Sequence, residues 1–270
     1  MTGLIRQPAV AGRFYPLHPD TLRSVLQTYL RKSERALPAL GCIVPHAGYM
    51  YSGHVAGAVF SELKIPGRVI ILCPNHTGVG RPLAIMSDGV WETPLGRIPI
   101  DVELAGSLKQ HLALLHEDAS AHRGEHAIEV ELPFIQSLNN QVSFVPIALG
   151  TGDFETLAQL GQSVAAVVSS SATPVLLIAS SDMNHYENDT ITRVKDHKAI
   201  EQILALDPRG LYETVINEEI SMCGFGAAVV MLSAARQLGA TTAELVKYAT
   251  SADTSGDPET VVGYAGIIVR

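Results

Sequence analysis

The feature that most constrains this chain is a change of hydrophobic period that repeats along its length. Four short, unbroken apolar runs stand out: Leu40–Val44, Val69–Leu72, Val142–Leu149 and Val175–Ala179. Each is too short for a core helix and lacks the polar alternation of a half-exposed strand, so each predicts a strand covered on both faces. The longer stretches are Leu22–Leu30, His54–Leu63, Val102–His111, Glu125–Leu138, Phe154–Val168, Ile191–Leu206 and Gly224–Leu238, all with helical period. Strands alternating with helices predict an α/β fold, with a mostly parallel central sheet flanked by helices.

Two regions depart from that rhythm. Val90–Ile100 holds two short strand-like pieces around Thr93-Pro-Leu-Gly96, which predicts a small hairpin. Near the carboxyl end, Leu245–Thr250 and Val261–Val269 predict two more strands, paired antiparallel across the turn Ser255-Gly-Asp-Pro258. The charged segment Arg31–Ala36 is short and reads as a helix end rather than a linker. With no repeat and no long linker, one domain over residues 1–270 is expected.

Composition excludes several classes of function. A chain of 270 residues that is 47% hydrophobic and 17% charged builds a core without staples. Its 19 basic and 27 acidic residues give a net charge of −8, with no basic run, which argues against nucleic acid or an anionic membrane as partner. The start, Met1-Thr-Gly-Leu-Ile-Arg-Gln-Pro8, has no signal-peptide pattern, and no apolar stretch reaches membrane-spanning length. The three cysteines, Cys42, Cys73 and Cys223, include no CxxC pair. That speaks against a disulfide framework or zinc ribbon and for the reducing cytoplasm.

The chemistry collects where buried strands end. Leu40–Val44 runs into Pro45-His46-Ala-Gly48-Tyr49-Met-Tyr51-Ser-Gly53, and Val69–Leu72 into Cys73-Pro74-Asn75-His76. Val175–Ala179 runs into Ser180-Ser-Asp182-Met-Asn184-His185-Tyr186. Ligands of open α/β sheets bind beyond the carboxyl ends of the strands, so parallel neighbours would bring His46, His76, Asp182 and His185 to one rim. Imidazoles with a thiolate or carboxylate suit a transition metal. Glu125-His126-Ala-Ile-Glu129-Val-Glu131 is expected to open a helix, its acids facing the positive end. Cys223 precedes another helix, a position that favours thiolate.

Taken in order, these motifs resemble the Memo family, named for a mediator of cell motility in animals and for AmmeMemoRadiSam system protein B in prokaryotes. The likeness begins with Arg6-Gln-Pro-Ala-Val-Ala-Gly12-Arg-Phe14-Tyr15-Pro16 and the Pro45–Gly53 motif. It continues through Pro74-Asn75-His76, Glu125-His126-Ala-Ile-Glu129, Leu132-Pro133-Phe134, Ser180–Tyr186 and Cys223-Gly224, nearly the whole chain. The resemblance implies a fold like the class III extradiol ring-cleaving dioxygenases, whose iron is held by two histidines and a carboxylate. It makes His46 and His76 the paired ligands and Cys223 the third, with Asp182 and His185 as the catalytic polar residues of the pocket and His185 resembling the dioxygenases' histidine that either supports a ligand from behind or acts as acid–base group. A thiolate in place of a carboxylate softens the site and favours copper or zinc relative to that oxygenase pattern. The expected cofactor is a transition metal, iron or copper first, with zinc possible.

Bland alternatives stand beside these roles. His46 and His76 can be hydrogen-bonded turn residues, Cys223 a small buried thiol, and Asp182 a turn cap or the orienter of an imidazole. Tyr49, Tyr51, Asn75, Glu125 and Tyr186 are candidates for the pocket wall, although tyrosines more often pack. Cys42 reads as core; Cys73 has no evident partner. His18, His111, His116, His122 and His197 read as ordinary loop or helix-face residues. Gly224-Phe-Gly226 is no dinucleotide loop, and no Gly-x-Ser-x-Gly elbow or P-loop appears. Three functions are therefore expected to compete: a metal-dependent redox protein or oxidoreductase, a non-catalytic protein gripping a peptide or small molecule in the same pocket, and a ring-cleaving dioxygenase. The family label further implies a functional link to radical S-adenosylmethionine and AMMECR-type proteins.

Overall fold

The computed structural model describes residues 4–31 and 36–270. From the amino end come β1 (Ile5–Arg6), α1 (Pro19–Tyr29), β2 (Gly41–Val44), α2 (Tyr49–Ser61) and β3 (Arg68–Pro74). The middle adds β4 (Leu83–Ile85), the hairpin β5 (Val90–Thr93) and β6 (Gly96–Pro99), α3 (Val102–His111), β7 (His116–Glu117) and α4 (Ser120–Arg123). Next are α5 (Leu132–Leu138), β8 (Ser143–Leu149), α6 (Phe154–Ser169), β9 (Val175–Ser180), β10 (His185–Glu187) and α7 (Asp189–Leu204). The chain closes with α8 (Pro208–Asn217), α9 (Phe225–Gln237), β11 (Ala243–Thr250), α10 (Ala252–Ser255) and β12 (Val261–Val269).

The four apolar runs lie side by side in the order β2-β9-β3-β8, all parallel. Val44 pairs with Ser180 and Pro74 with Leu149, so their carboxyl ends form one continuous rim. The strands directly flanking this centre run the other way: β12 is antiparallel to β2, and β4 to β8. As expected, β11 and β12 pair antiparallel, but α10 occupies part of the expected turn and Gly256 ends it at φ 75°. The hairpin also forms, and β1 joins it in parallel to make a small separate sheet.

Side-chain alternation sorts the central strands onto two cores. Ile43, Ile70, Leu72, Val145, Ile147, Leu177 and Ala179 face one side, where α3, α6, α7, α8 and α9 cover them. Cys42, Val44, Val69, Ile71, Cys73, Phe144, Leu176 and Ile178 face the other, under α1, α2, α5 and the small sheet. Both faces are apolar because both are covered. Helix starts are fixed locally: Asp101, Asp153, Asn188 and Asp207 each accept a backbone N–H of the first turn.

Several expectations need correction. Glu125–Leu138 is not one helix; only Leu132–Leu138 is helical, with Pro133 in its first turn. Residues 125–131 form irregular turns because Glu125, Glu129 and Glu131 are fully buried rather than facing solvent at a helix end. α2 starts at Tyr49, earlier than the expected His54. The segment 31–36 falls mostly outside the described residues, and α1 itself stops at Tyr29.

Candidate metal centre

His46 follows β2 after a single proline. Its backbone N–H donates to Asp182 Oδ1 at 2.7 Å, and that of Ala47 to the same oxygen at 3.3 Å. Asp182 thus holds the backbone of the His46 turn rather than an imidazole. The His46 ring is fixed separately, with Nδ1 2.8 Å from Ser180 Oγ at the end of β9. The serine hydroxyl has one proton and gives it to Ala127 O at 2.7 Å. It then accepts from His46 Nδ1–H, which turns the Nε2 lone pair toward the Cys223 thiol. Nε2 lies 3.2 Å from Cys223 Sγ.

His76, two residues beyond β3, is fixed by a different device. Its Nδ1–H donates to Glu125 Oε1 at 2.9 Å and its backbone N–H to Oε2 at 2.6 Å. The same carboxylate accepts the N–H groups of His126 at 2.8 Å and Ala127 at 3.0 Å. His76 Nε2 is left open. A ligand imidazole whose other nitrogen donates to a carboxylate or hydroxyl has its tautomer and orientation set in advance. His46 Nε2, His76 Nε2 and Cys223 Sγ are the donors that these anchors leave to a ligand, in a group whose ligand atoms lie within 4.8 Å of one another. A tetrahedral metal with ordinary bond lengths would separate an imidazole nitrogen and a thiolate by roughly 3.5 Å, so the donor set fits.

The electrostatics set the two imidazoles apart. Burial pushes His46 well below its usual value, and the nearby His126, His76 and His185 push the same way. Burial also acts to lower His76, but the Glu125 carboxylate outweighs it and the net shift is upward. Glu125 is drawn down: burial opposes ionisation, while His76 and the backbone donors overcome it. Burial lifts Asp182 to about 7 despite its backbone donors. Cys223 corrects an expectation. Although α9 begins just after it, burial, with Asp182 nearby, holds the thiol well above its ordinary value. The protein alone keeps this group as thiol; a bound cation is what would make it thiolate.

His185 begins β10 and is fixed by Ser221, which accepts from its Nδ1–H at 2.8 Å through the carbonyl. Its Nε2 is therefore open, and burial lowers its basicity. The remaining candidates divide. Tyr49 is packed between Tyr15 and Phe134, with its hydroxyl donating to Val130 O at 2.6 Å, so it belongs to the core. With Tyr51 and Phe14 it also borders a neighbouring groove of about 510 Å³. Asn75 braces its own loop through Val79 O, Thr77 and Gly78. Tyr186 stands 78% exposed beside His185, at φ 64°.

Sequence reasoning missed His126 as a candidate, although the motif containing it was in view. Its ring centroid lies 4.7 Å from His76 and 5.3 Å from His46, and it completes a second close group with His76 and Glu125. Ser180 and Ser221 were missed as well. No periodicity marks a serine that orients a histidine from another strand.

No described helix is long and apolar enough to cross a membrane. The Memo-like protein family model matches residues 6–268. A MEMO1 family protein of Methanosarcina barkeri is 45% identical over 268 residues, covering 98% of this chain and 100% of its own. One from Methanopyrus kandleri is 40% identical over 279 residues, covering 98% and 99%. Among solved structures, an uncharacterized protein from Escherichia coli K12 superposes with a TM-score of 0.55 at 11% identity, over 83% of this chain and 98% of that one, which is a likeness of fold. The two imidazoles, the thiol and the loops that hold them thus lie within a match that runs nearly end to end, and the chain belongs to the Memo family.

Proposed function

We propose that this Memo-family protein is a metal-dependent redox protein in which His46 Nε2, His76 Nε2 and Cys223 Sγ hold a transition metal. The observation that carries the reading is that both imidazoles have Nδ1 engaged from behind, which leaves His76 Nε2 open and His46 Nε2 facing only the Cys223 thiol, within one close group. Two nitrogens and one sulfur favour iron or copper, with zinc as the redox-inert competitor. Bound there, such a metal supplies one-electron exchange with O₂ or a small organic substrate. His185, with Nδ1–H held by Ser221, offers Nε2 as a proton acceptor.

The extradiol reading requires a carboxylate ligand. Glu125 is occupied by His76 and three backbone donors, and Asp182 by the His46 turn, which weighs against ring cleavage. A second reading, binding of a peptide without chemistry, is favoured by the adjoining groove, lined by Arg13, Phe14, Met50 and Tyr51. Elemental analysis of protein purified without chelator or metal-binding tag separates them. Near-stoichiometric iron or copper, lost in His46→Ala and His76→Ala, is the expected result. A metal-free protein that takes up no metal would leave the peptide reading.

A further inference from the structure

Residues 125–131 pose a physical problem. They carry the carboxylate that orients His76, yet they form no regular element and bury three acids. Irregular chain of this kind keeps its shape only if its polar groups are held from outside.

The holding group is the arm that starts the described chain. The Arg6 side chain, 5% exposed, donates through Nε to His122 O at 3.1 Å and through Nη2 to Glu125 O at 2.6 Å. Its Nη1 pairs with the buried Glu129 carboxylate, and its guanidinium lies 4.2 Å from the Trp91 ring centroid. Glu129 also accepts from Ala9 N–H at 2.7 Å, Val10 N–H at 3.0 Å and Tyr15 Oη at 2.7 Å. The arm reaches the other ligand loop too. Phe14 O accepts Tyr49 N–H at 2.8 Å, just after the His46 turn, and the Phe14 ring lies 4.7 Å from His126.

We infer that the arm Arg6–Tyr15 is a strap that assembles the metal-type site, with Arg6 and Glu129 as positioning residues that hold Glu125 behind His76. A guanidinium fork engaging two carbonyls and a carboxylate fixes the plane of the Glu125 peptide. That peptide sets where Oε1 meets His76 Nδ1, and ligand geometry tolerates only about 0.5 Å of error. The consequence for metal rests on the proposed function; the consequence for His76 does not.

The test compares Arg6→Met and Glu129→Gln with Arg68→Met. Arg68 also pairs with a carboxylate, Nε to Asp101 Oδ2 at 2.6 Å, but at the opposite end of β3. In metal-free, ¹⁵N-histidine-labelled protein, NMR should show the hydrogen-bonded Nδ1–H of His76 in the wild type and Arg68→Met. It should be lost in Arg6→Met and weakened in Glu129→Gln. Cobalt(II) titration should show binding about 10- to 100-fold weaker in Arg6→Met and unchanged in Arg68→Met. Glu129→Gln carries the test alone if Arg6→Met fails to fold. An unaltered His76 signal in both strap variants, or an equal loss in Arg68→Met, would overturn the strap. Loss of the signal in a protein whose wild type binds no cobalt would uphold the strap and sink the metal reading.

Discussion

Two polar clusters meet at the segment 125–129, and they are built on opposite plans. Around Arg6 and Glu129 the guanidinium is engaged through Nε, Nη1 and Nη2, and both carboxylate oxygens are occupied. Around His46, His76 and Cys223 each imidazole has Nδ1 engaged by oxygen, while His76 Nε2 is open and His46 Nε2 meets only the Cys223 thiol. A closed cluster stabilises and fixes geometry. An open one contributes less to folding than it does to a ligand, because its inward donors meet at most each other, as His46 Nε2 meets the Cys223 thiol. Burial separates them as well: Arg6 and Glu129 are both buried, whereas beside the buried His46 the Cys223 thiol is half-buried and His76 exposed. What also differs is whether the last donor atom has somewhere to go.

The largest effect should come from breaking the closed cluster. Arg6→Met leaves Glu129 buried and unpaired, which costs about 3–5 kcal/mol of stability by urea denaturation. His46→Ala, in the open cluster, should cost much less stability while abolishing metal uptake. If the two variants lose similar stability, the distinction between the clusters fails.

Glu125→Gln sharpens the comparison from inside. It keeps the shape but presents an amide donor to one of the N–H groups now accepted. Metal affinity should fall about 10- to 100-fold, measured by competition with a chromophoric chelator. An unchanged affinity would mean that His76 orients itself.

A smaller effect is expected at Asp196, a third buried cluster with two donors among the described residues, Tyr248 Oη and Asn184 N–H. Burial raises its carboxyl to about 7, against those donors and the nearby His197 and Arg193. Its folded value lies above the unfolded value of about 4, so its contribution to stability is whole below about pH 4. It declines as pH rises and is gone above about 7, with a slope of at most about 1.4 kcal/mol per pH unit. Asp196→Asn should flatten that slope in urea melts between pH 4.5 and 7. An identical slope in the variant would assign the titration elsewhere.

How much of this was legible follows from where the signals are local. The central strands were readable because a strand covered on both faces must be apolar throughout, and the rim because Pro45-His46 and Pro74-Asn75-His76 follow such runs directly. The length of α2 was misjudged because Gly48 and Tyr49 carry no strong cap. Asp207-Pro208 does carry a helix-start signature, and α8 was overlooked beside the stronger pattern before it. β1, β4, β7 and β10, each of two or three residues, are too short for periodicity. The strap was illegible for a deeper reason. Arg6 meets Glu125 and Glu129 across 119 and 123 positions of chain, and no local pattern reveals a partner that distant.

The central claim is that Cys223 completes an open donor set, and thiol alkylation with peptide mass mapping tests it most directly. Cys42 and Cys73 are fully buried, so they stay shielded with or without metal. Cys223 is partly accessible and held as thiol in the metal-free protein. It should label slowly without metal, faster as pH rises, and hardly at all after loading with copper(I) or zinc. That protection should vanish in His46→Ala and His76→Ala. Equal labelling of Cys223 in the loaded and metal-free protein would contradict the account and exclude it as a ligand.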